Sequence, residues 1–173
     1  TGGLYPWRSS ENKLPSRIVK TLVSGFSMNI QTIIWYELFD RRKPRKLNSE
    51  DFFGLVKRNK GYEYKKGAYA FSTIARNIPG TRLVNDQVIC DNPSTNYYFF
   101  QKSDGEGLLV VWNKHRQKTE ISISGKNCVR WSISSPEKEE LDDGPFSVKA
   151  GREPLVFTFR NDSGKEDSIK IKH

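Results

Sequence analysis

The first 80 residues carry apolar positions at helical spacing on both sides of one apolar run. Ile18, Leu22 and Phe26 recur every four residues and predict an amphipathic helix. Residues 66–78 repeat this spacing and predict a second helix. Between them, residues 31–39 are mostly apolar, as in a strand that is covered on both faces. The order helix, strand, loop, helix is typical of the last part of a (β/α) barrel.

Beyond residue 80 the apolar positions alternate with polar ones, which is the period of a β-strand. Turn sequences rich in Gly, Asp and Asn separate the alternating segments. Short strands with regular turns predict an antiparallel β-sandwich. The predicted fold class is therefore α/β followed by all-β, with a boundary near residue 80. The predicted strands cover residues 95–101, 108–113, 119–124, 129–134 and 155–160.

Charge divides the chain at the same boundary. Residues 1–80 hold 15 Lys+Arg against 6 Asp+Glu, whereas residues 81–173 hold 14 of each, so the whole net charge of +9 lies in the first part. Its densest run is Arg41–Lys46. Such a run can bind polyanions by releasing their counterions, but no nucleic-acid-binding motif accompanies it. We predict no nucleic-acid partner. Acidic sugar chains are the more natural anionic target, and a basic scaffold for acidic polymers is a third possible function.

Two further classes of protein find little support in the composition. No stretch approaches the roughly 20 apolar residues that cross a bilayer, so no membrane partner is predicted. Cys90 and Cys128 have no second Cys or His at metal-ligand spacing, which argues against a zinc site. No metal and no organic cofactor is predicted. Two separate buried thiols are expected, with a disulfide between them as the alternative.

Aromatic and acidic side chains crowd the end of the apolar run. In an extended strand, Trp35 and Glu37 share one side, and Tyr36 and Leu38 share the other. Asp40 follows directly. Trp offers a flat apolar face, and carboxylates accept hydrogen bonds from hydroxyl groups, which suits a sugar. From spacing alone, a core strand that runs into a solvated turn is an equally good interpretation.

An ordered set of motifs in the first part resembles the end of the catalytic barrel in clan A glycoside hydrolases. The family usually has Pro where this chain has Gly67. The resemblance implies that residues 1–80 are the C-terminal segment of a (β/α)8 barrel. Residues 81–173 would be the β-sandwich accessory domain that follows many such barrels. The motifs are Trp35-Tyr36-Glu37-Leu38 with Asp40, then Phe53-Gly54-Leu55-Val56, then Lys66-Gly67-Ala68-Tyr69-Ala70-Phe71.

The resemblance also implies a carbohydrate substrate and a set of contact residues. Trp35 would form the floor of the sugar site, and Glu37, in preference to Asp40, would bind substrate hydroxyls. Trp7 is a further candidate for sugar contact, or else a lid residue on the barrel rim. Such an enzyme favours a secreted or periplasmic location.

The same resemblance places the catalytic residues outside this sequence. Retaining glycosidases use two carboxylates about 5 Å apart, and both would lie before Thr1. We therefore expect the chain alone to be inactive, with the missing N-terminal barrel segment as its partner. We also expect residues 1–80 to be poorly ordered or paired with another chain, because a helix pair and one strand have few partners within this sequence.

The main alternative is a non-catalytic carbohydrate-binding β-sandwich module, with residues 1–80 as an adaptor. Trp112 and Trp131 could then stack on sugars. Trp131 alternates with polar residues in its strand, however, so it is predicted to face the core.

Overall fold

The computed structural model describes residues 11–40, 54–58, 61–90, 92–115, 118–160 and 169–172. Three features of the sequence lie outside these residues, namely the candidate contact residue Trp7, the basic run Arg41–Lys46 and Phe53 of the second motif. Within the described ranges the chain forms two α-helices and twelve strands. No helix in those ranges is both long and apolar enough to cross a membrane.

The helices are α1 (Leu14–Ser27) and α2 (Lys66–Asn77), and a 3-10 turn covers Asn85–Gln87. The strands are β1 (Val56–Lys57), β2 (Glu63–Tyr64), β3 (Arg82–Leu83), β4 (Val88–Cys90), β5 (Thr95–Gln101), β6 (Glu106–Asn113), β7 (Thr119–Gly125), β8 (Cys128–Trp131), β9 (Lys138–Leu141), β10 (Gly144–Ala150), β11 (Leu155–Arg160) and β12 (Ile169–Lys172).

Both predicted helices form, and they pack against each other. Pro15 lies in the first turn of α1, where its missing N–H costs no hydrogen bond. A Cβ on Gly67 would lie 2.8 Å from a methyl carbon of Leu14 and 2.9 Å from one of Ile18. The helices therefore approach each other closely at Gly67, where a side chain would clash. The departure from Pro at this position thus coincides with a tight helix–helix contact.

The predicted strand at residues 31–39 does not form, and that prediction is wrong. Among the described residues, Phe39 alone in this run forms a β-bridge, a parallel one to Val56. Ile34, Tyr36 and Leu38 are 86%, 66% and 56% exposed. Within the described residues, no strand runs along either side of residues 31–38 to take up their backbone groups, and no layer covers the outer face.

Two sheets form the predicted sandwich. The six-stranded sheet has the order β3-β5-β6-β11-β8-β9 and is antiparallel throughout; the four-stranded sheet has the order β10-β7-β12-β4, with β12 and β4 parallel. Each of the five predicted strands overlaps an observed one, and β5 and β11 match to the residue. β8 ends at Trp131, three residues before the predicted end.

The six-stranded sheet is the middle layer of three. Along β6, Leu109 and Val111 face the four-stranded sheet. Leu108, Val110 and Trp112 face α1 and α2. All five are buried. Full burial of an aliphatic or aromatic side chain stabilises a fold by roughly 1.5–3 kcal/mol. The helices therefore find their apolar partner within this chain, which corrects the expectation that the first part lacks one.

The two tryptophans of the sandwich differ in their surroundings. Trp112 is 8% exposed; Tyr98 stacks on its ring at 5.6 Å between centroids, and the Lys20 ammonium lies 5.1 Å from the ring centroid. This ring is covered and cannot serve as a sugar platform. Trp131 is half-buried, and its Nε1 donates a hydrogen bond to Thr158 Oγ1 at 2.9 Å.

Candidate functional site

Backbone hydrogen bonds hold the end of the apolar run against β1. The amides of Leu55 and Val56 both donate to the Leu38 carbonyl at 2.9 Å, and the Asp40 amide donates to the Val56 carbonyl at 3.0 Å. A Cβ on Gly54 would lie 2.1 Å from the Asp40 nitrogen. Only glycine fits so close an approach of two backbones. Gly54 thus fixes where the run ends.

The side chains of this run alternate between two sides, as the spacing predicts. Trp35 and Glu37 are half-buried, whereas Tyr36 and Leu38 are exposed. Trp35 packs against the apolar core that α1, α2 and the six-stranded sheet share. The exposed side of the run is therefore the side away from the helices.

Asp40 is anchored to the start of α2. Both of its carboxylate oxygens accept hydrogen bonds from Lys65 Nζ, at 2.9 and 3.1 Å. The side chains of Lys65 and Asp40 are only 5% and 13% exposed. The Lys65 amide also donates to the Leu55 carbonyl at 2.8 Å. Asp40 thus ties the end of the run to both β1 and α2, and a substrate hydroxyl would compete with a buried ammonium for its oxygens.

An aromatic and cationic cluster flanks this anchor. The Tyr62 ring meets the Phe39 ring edge-on at 5.8 Å, and the Arg58 guanidinium lies 4.9 Å from the Phe39 centroid. Lys57 forms ion pairs with Glu11 at 3.2 Å and with Glu63 at 3.9 Å. These contacts fix the β1–β2 hairpin beside Phe39.

The predicted site residues are therefore only partly brought together. Trp35 and Glu37 share one side of the run, Asp40 is committed to Lys65, and Trp7 lies outside the described residues. The arrangement offers an aromatic ring and a carboxylate, which can stack on a sugar and accept its hydroxyls. Within the described ranges, no group of three or more His, Cys, Asp and Glu side chains is placed to hold a metal ion.

The cysteines do not contribute chemistry to this region. Cys128 is a buried free thiol, so it is not joined to Cys90, as expected, but Cys90 is only half-buried rather than buried. Burial raises the pKa of Cys128 to about 12. Such a thiol is almost entirely protonated near neutral pH and therefore a poor nucleophile.

One concave feature was missed from the sequence. A cleft of about 310 Å³ lies between α2 and the end of β8, and Tyr64, Tyr69, Arg76 and Trp131 are among its lining residues. A signal for it was available, because Tyr69, Ser72 and Arg76 follow helical spacing on one face of α2.

Solved structures share this fold. The catalytic domain of GH30 xylanase C from Talaromyces cellulolyticus is 16% identical, with a TM-score of 0.59, and the match covers 90% of this chain and 37% of that one. An endo-beta1,6-glucanase is 13% identical, with a TM-score of 0.55, and the match covers 92% of this chain and 34% of that one. No protein-family model and no curated protein matches the chain.

The matched residues lie in the C-terminal part of both hydrolases. This chain spans little more than a third of the length of either. The fold is thus the one found at the C-terminal end of these glycoside hydrolases: two helices and an extended segment followed by a β-sandwich.

Proposed function

We propose that this chain is the C-terminal portion of a retaining glycoside hydrolase that cleaves O-glycosidic bonds in a poly- or oligosaccharide. The fold match over 90% and 92% of the chain carries the proposal. The family motifs add to it, because Trp35 and Asp40 lie near the end of one extended segment and Gly54 packs against that end. Residues 1–80 would complete a (β/α)8 barrel, and residues 81–173 would be its accessory sandwich.

Each site residue has a distinct proposed role. Trp35 packs partly against the core, and the exposed part of its ring provides an apolar surface for stacking on a sugar face. Glu37, on the same side, accepts hydrogen bonds from hydroxyl groups. Asp40 acts as a positioning residue, since its two bonds to Lys65 fix the end of the segment relative to α2. Trp7 remains a candidate for sugar contact by resemblance.

The catalytic pair would come from other strands of the barrel. Retention of configuration requires two carboxylates about 5 Å apart, one as nucleophile and one as acid/base. Glu37 and Asp40 do not supply such a pair, because the carboxylate of Asp40 already holds a buried lysine. Acting without those strands, the chain would bind sugar at most and would not hydrolyse it.

The barrel strands would also cover the exposed side of the run. Ile34, Tyr36 and Leu38 form a row of exposed apolar side chains on one side of an extended segment. Such a row with open backbone edges is a template for strand pairing. We infer that the N-terminal barrel segment is the partner that pairs here.

The test is the size and activity of the native polypeptide. An antibody against residues 81–173 should detect a band well above 20.0 kDa in an immunoblot of the source, with room for the rest of a barrel of about 250 residues. That polypeptide, once purified, should hydrolyse β-linked polysaccharides, and the 173-residue chain should not. A native band at 20.0 kDa with no larger partner would contradict the proposal.

A further inference from the structure

The cleft between α2 and the six-stranded sheet lies on residues that the proposed function does not use. On the helix side it is lined by Tyr69, Ser72 and Arg76, with Tyr64 just before α2. On the sheet side it is lined by Trp131 and the loop after it, including Pro136. Its volume of about 310 Å³ falls at the lower end of the range of small-molecule sites.

Four polar side chains that line this cleft have no polar partner among the described residues, although others, such as Ser135, are hydrogen-bonded. Within the described part of the chain, the side chains of Ser72 and Arg76 and the hydroxyls of Tyr64 and Tyr69 make no hydrogen bond or ion pair. Arg76 is also the one charged residue among those that line the cleft. A guanidinium offers five N–H donors, and hydroxyl groups donate and accept. The cleft thus presents donors and acceptors to a polar ligand.

The apolar surface of the cleft includes three aromatic rings, each of which contacts a neighbouring group. The Tyr64 and Tyr69 rings meet edge-on at 6.4 Å. The Trp131 ring is held by its hydrogen bond to Thr158, and Lys138 lies 6.0 Å from its centroid. Lys138 lines a second cleft, which Trp131 also borders, so Trp131 forms a wall between the two. Preorganised rings bind a ligand at low cost in side-chain entropy.

We propose that this cleft binds an oligosaccharide as a second site, separate from Trp35 and Glu37. Flat rings that carry polar groups match a sugar, whose ring faces are apolar and whose edge is lined with hydroxyls. Tyr64 and Tyr69 supply the stacking surface, and Arg76 donates hydrogen bonds to hydroxyl oxygens. The site would hold a chain on the enzyme surface without taking part in its cleavage.

The experiment uses uncharged sugars, because a chain with net charge +9 attracts any polyanion. Xylohexaose, cellohexaose and gentiohexaose are titrated separately into the whole 173-residue chain by calorimetry. At least one should bind, with an affinity that is unchanged when the salt concentration is raised. Tyr64→Ala should weaken binding about tenfold, the usual cost of losing a well-packed aromatic contact. Tyr64→Phe should retain most of the affinity.

The matched control is Tyr62→Ala. Tyr62 is 65% exposed and Tyr64 is 64% exposed, but Tyr62 does not line the cleft. A loss of affinity in Tyr64→Ala and Arg76→Gln, with Tyr62→Ala unchanged, supports the second site. A loss confined to Trp35→Ala overturns it while supporting the proposed function. Equal affinity in all variants, or no binding of any of the three sugars, also overturns it.

Discussion

The run at residues 31–39 and strand β6 are both apolar, yet β6 is buried and one side of the run is exposed. β6 has a strand on each side, helices on one face and a second sheet on the other, so Leu108–Trp112 are buried. Among the described residues, the run at 31–39 pairs with a strand only at its end, through backbone hydrogen bonds of Leu38 and Asp40 to residues 55 and 56, and its outer side chains are exposed. An apolar segment therefore needs neighbouring elements that bury it. Whether it becomes a buried strand depends on which elements the rest of the chain provides.

The largest expected difference between the two regions is in stability. Leu109→Ala should lower the free energy of unfolding by about 2–5 kcal/mol, because it opens a cavity in a fully covered layer. Leu38→Ala, at a residue of the run that is 56% exposed, should change it by less than about 0.5 kcal/mol. Urea unfolding of both variants measures the difference. Equal costs would mean that the sheet core is less well packed than this structure has it.

The next effect concerns the anchor that holds the run in place. Asp40→Asn should lower the free energy of unfolding by about 1.5–3 kcal/mol, because it removes the charged partner of a buried lysine. The control is Glu139→Gln, whose pair with Arg130 at 3.6 Å is solvent-exposed and should contribute less than about 1 kcal/mol. Unfolding in urea compares the two. A neutral Asp40→Asn would remove Asp40 from its positioning role and leave its carboxylate available to substrate.

A third prediction sets one side of the run against the other in the longer enzyme of the proposed function. Trp35→Ala should lower kcat/KM about tenfold or more, because a stacking surface for the sugar is lost, and Trp35→Phe should restore part of it. Tyr36→Ala, on the opposite side, should change kcat/KM less. Far-ultraviolet circular dichroism checks that each variant folds. The reverse order of effects would assign the sugar-facing role to the exposed side, away from the helices.

The comparison also explains how much of the fold could be predicted from the sequence alone. Local periodicity located α1, α2, β5 and β11 well, because their burial pattern arises from neighbours within the chain. β9 was missed because Lys138-Glu139-Glu140-Leu141 carries almost no apolar residue, as suits an edge strand. β10 was also not predicted, although Phe146, Val148 and Ala150 alternate with polar residues.

The candidate site was predictable to a smaller extent, for a different reason. The shared side of Trp35 and Glu37 follows from the period of an extended chain. The bond from Lys65 to Asp40 joins residues 25 apart, and no local pattern marks it. The cleft beside Trp131 joins α2 to β8, which are more than 50 residues apart in the chain. Such tertiary contacts depend on how the layers stack.

The smallest expected effect is the one that most directly tests the exposed side of the run. Ile34→Asn should leave the stability of the 173-residue chain within about 0.5 kcal/mol of the original, because an 86% exposed side chain loses almost no packing. In the longer enzyme the same change should lower the free energy of unfolding by more than about 1 kcal/mol, because it would bury a side-chain amide that has no hydrogen-bond partner. A large loss in the short chain would show that Ile34 is already covered there. No loss in either form would mean that nothing pairs with this side, and the proposed barrel partner would have to be given up.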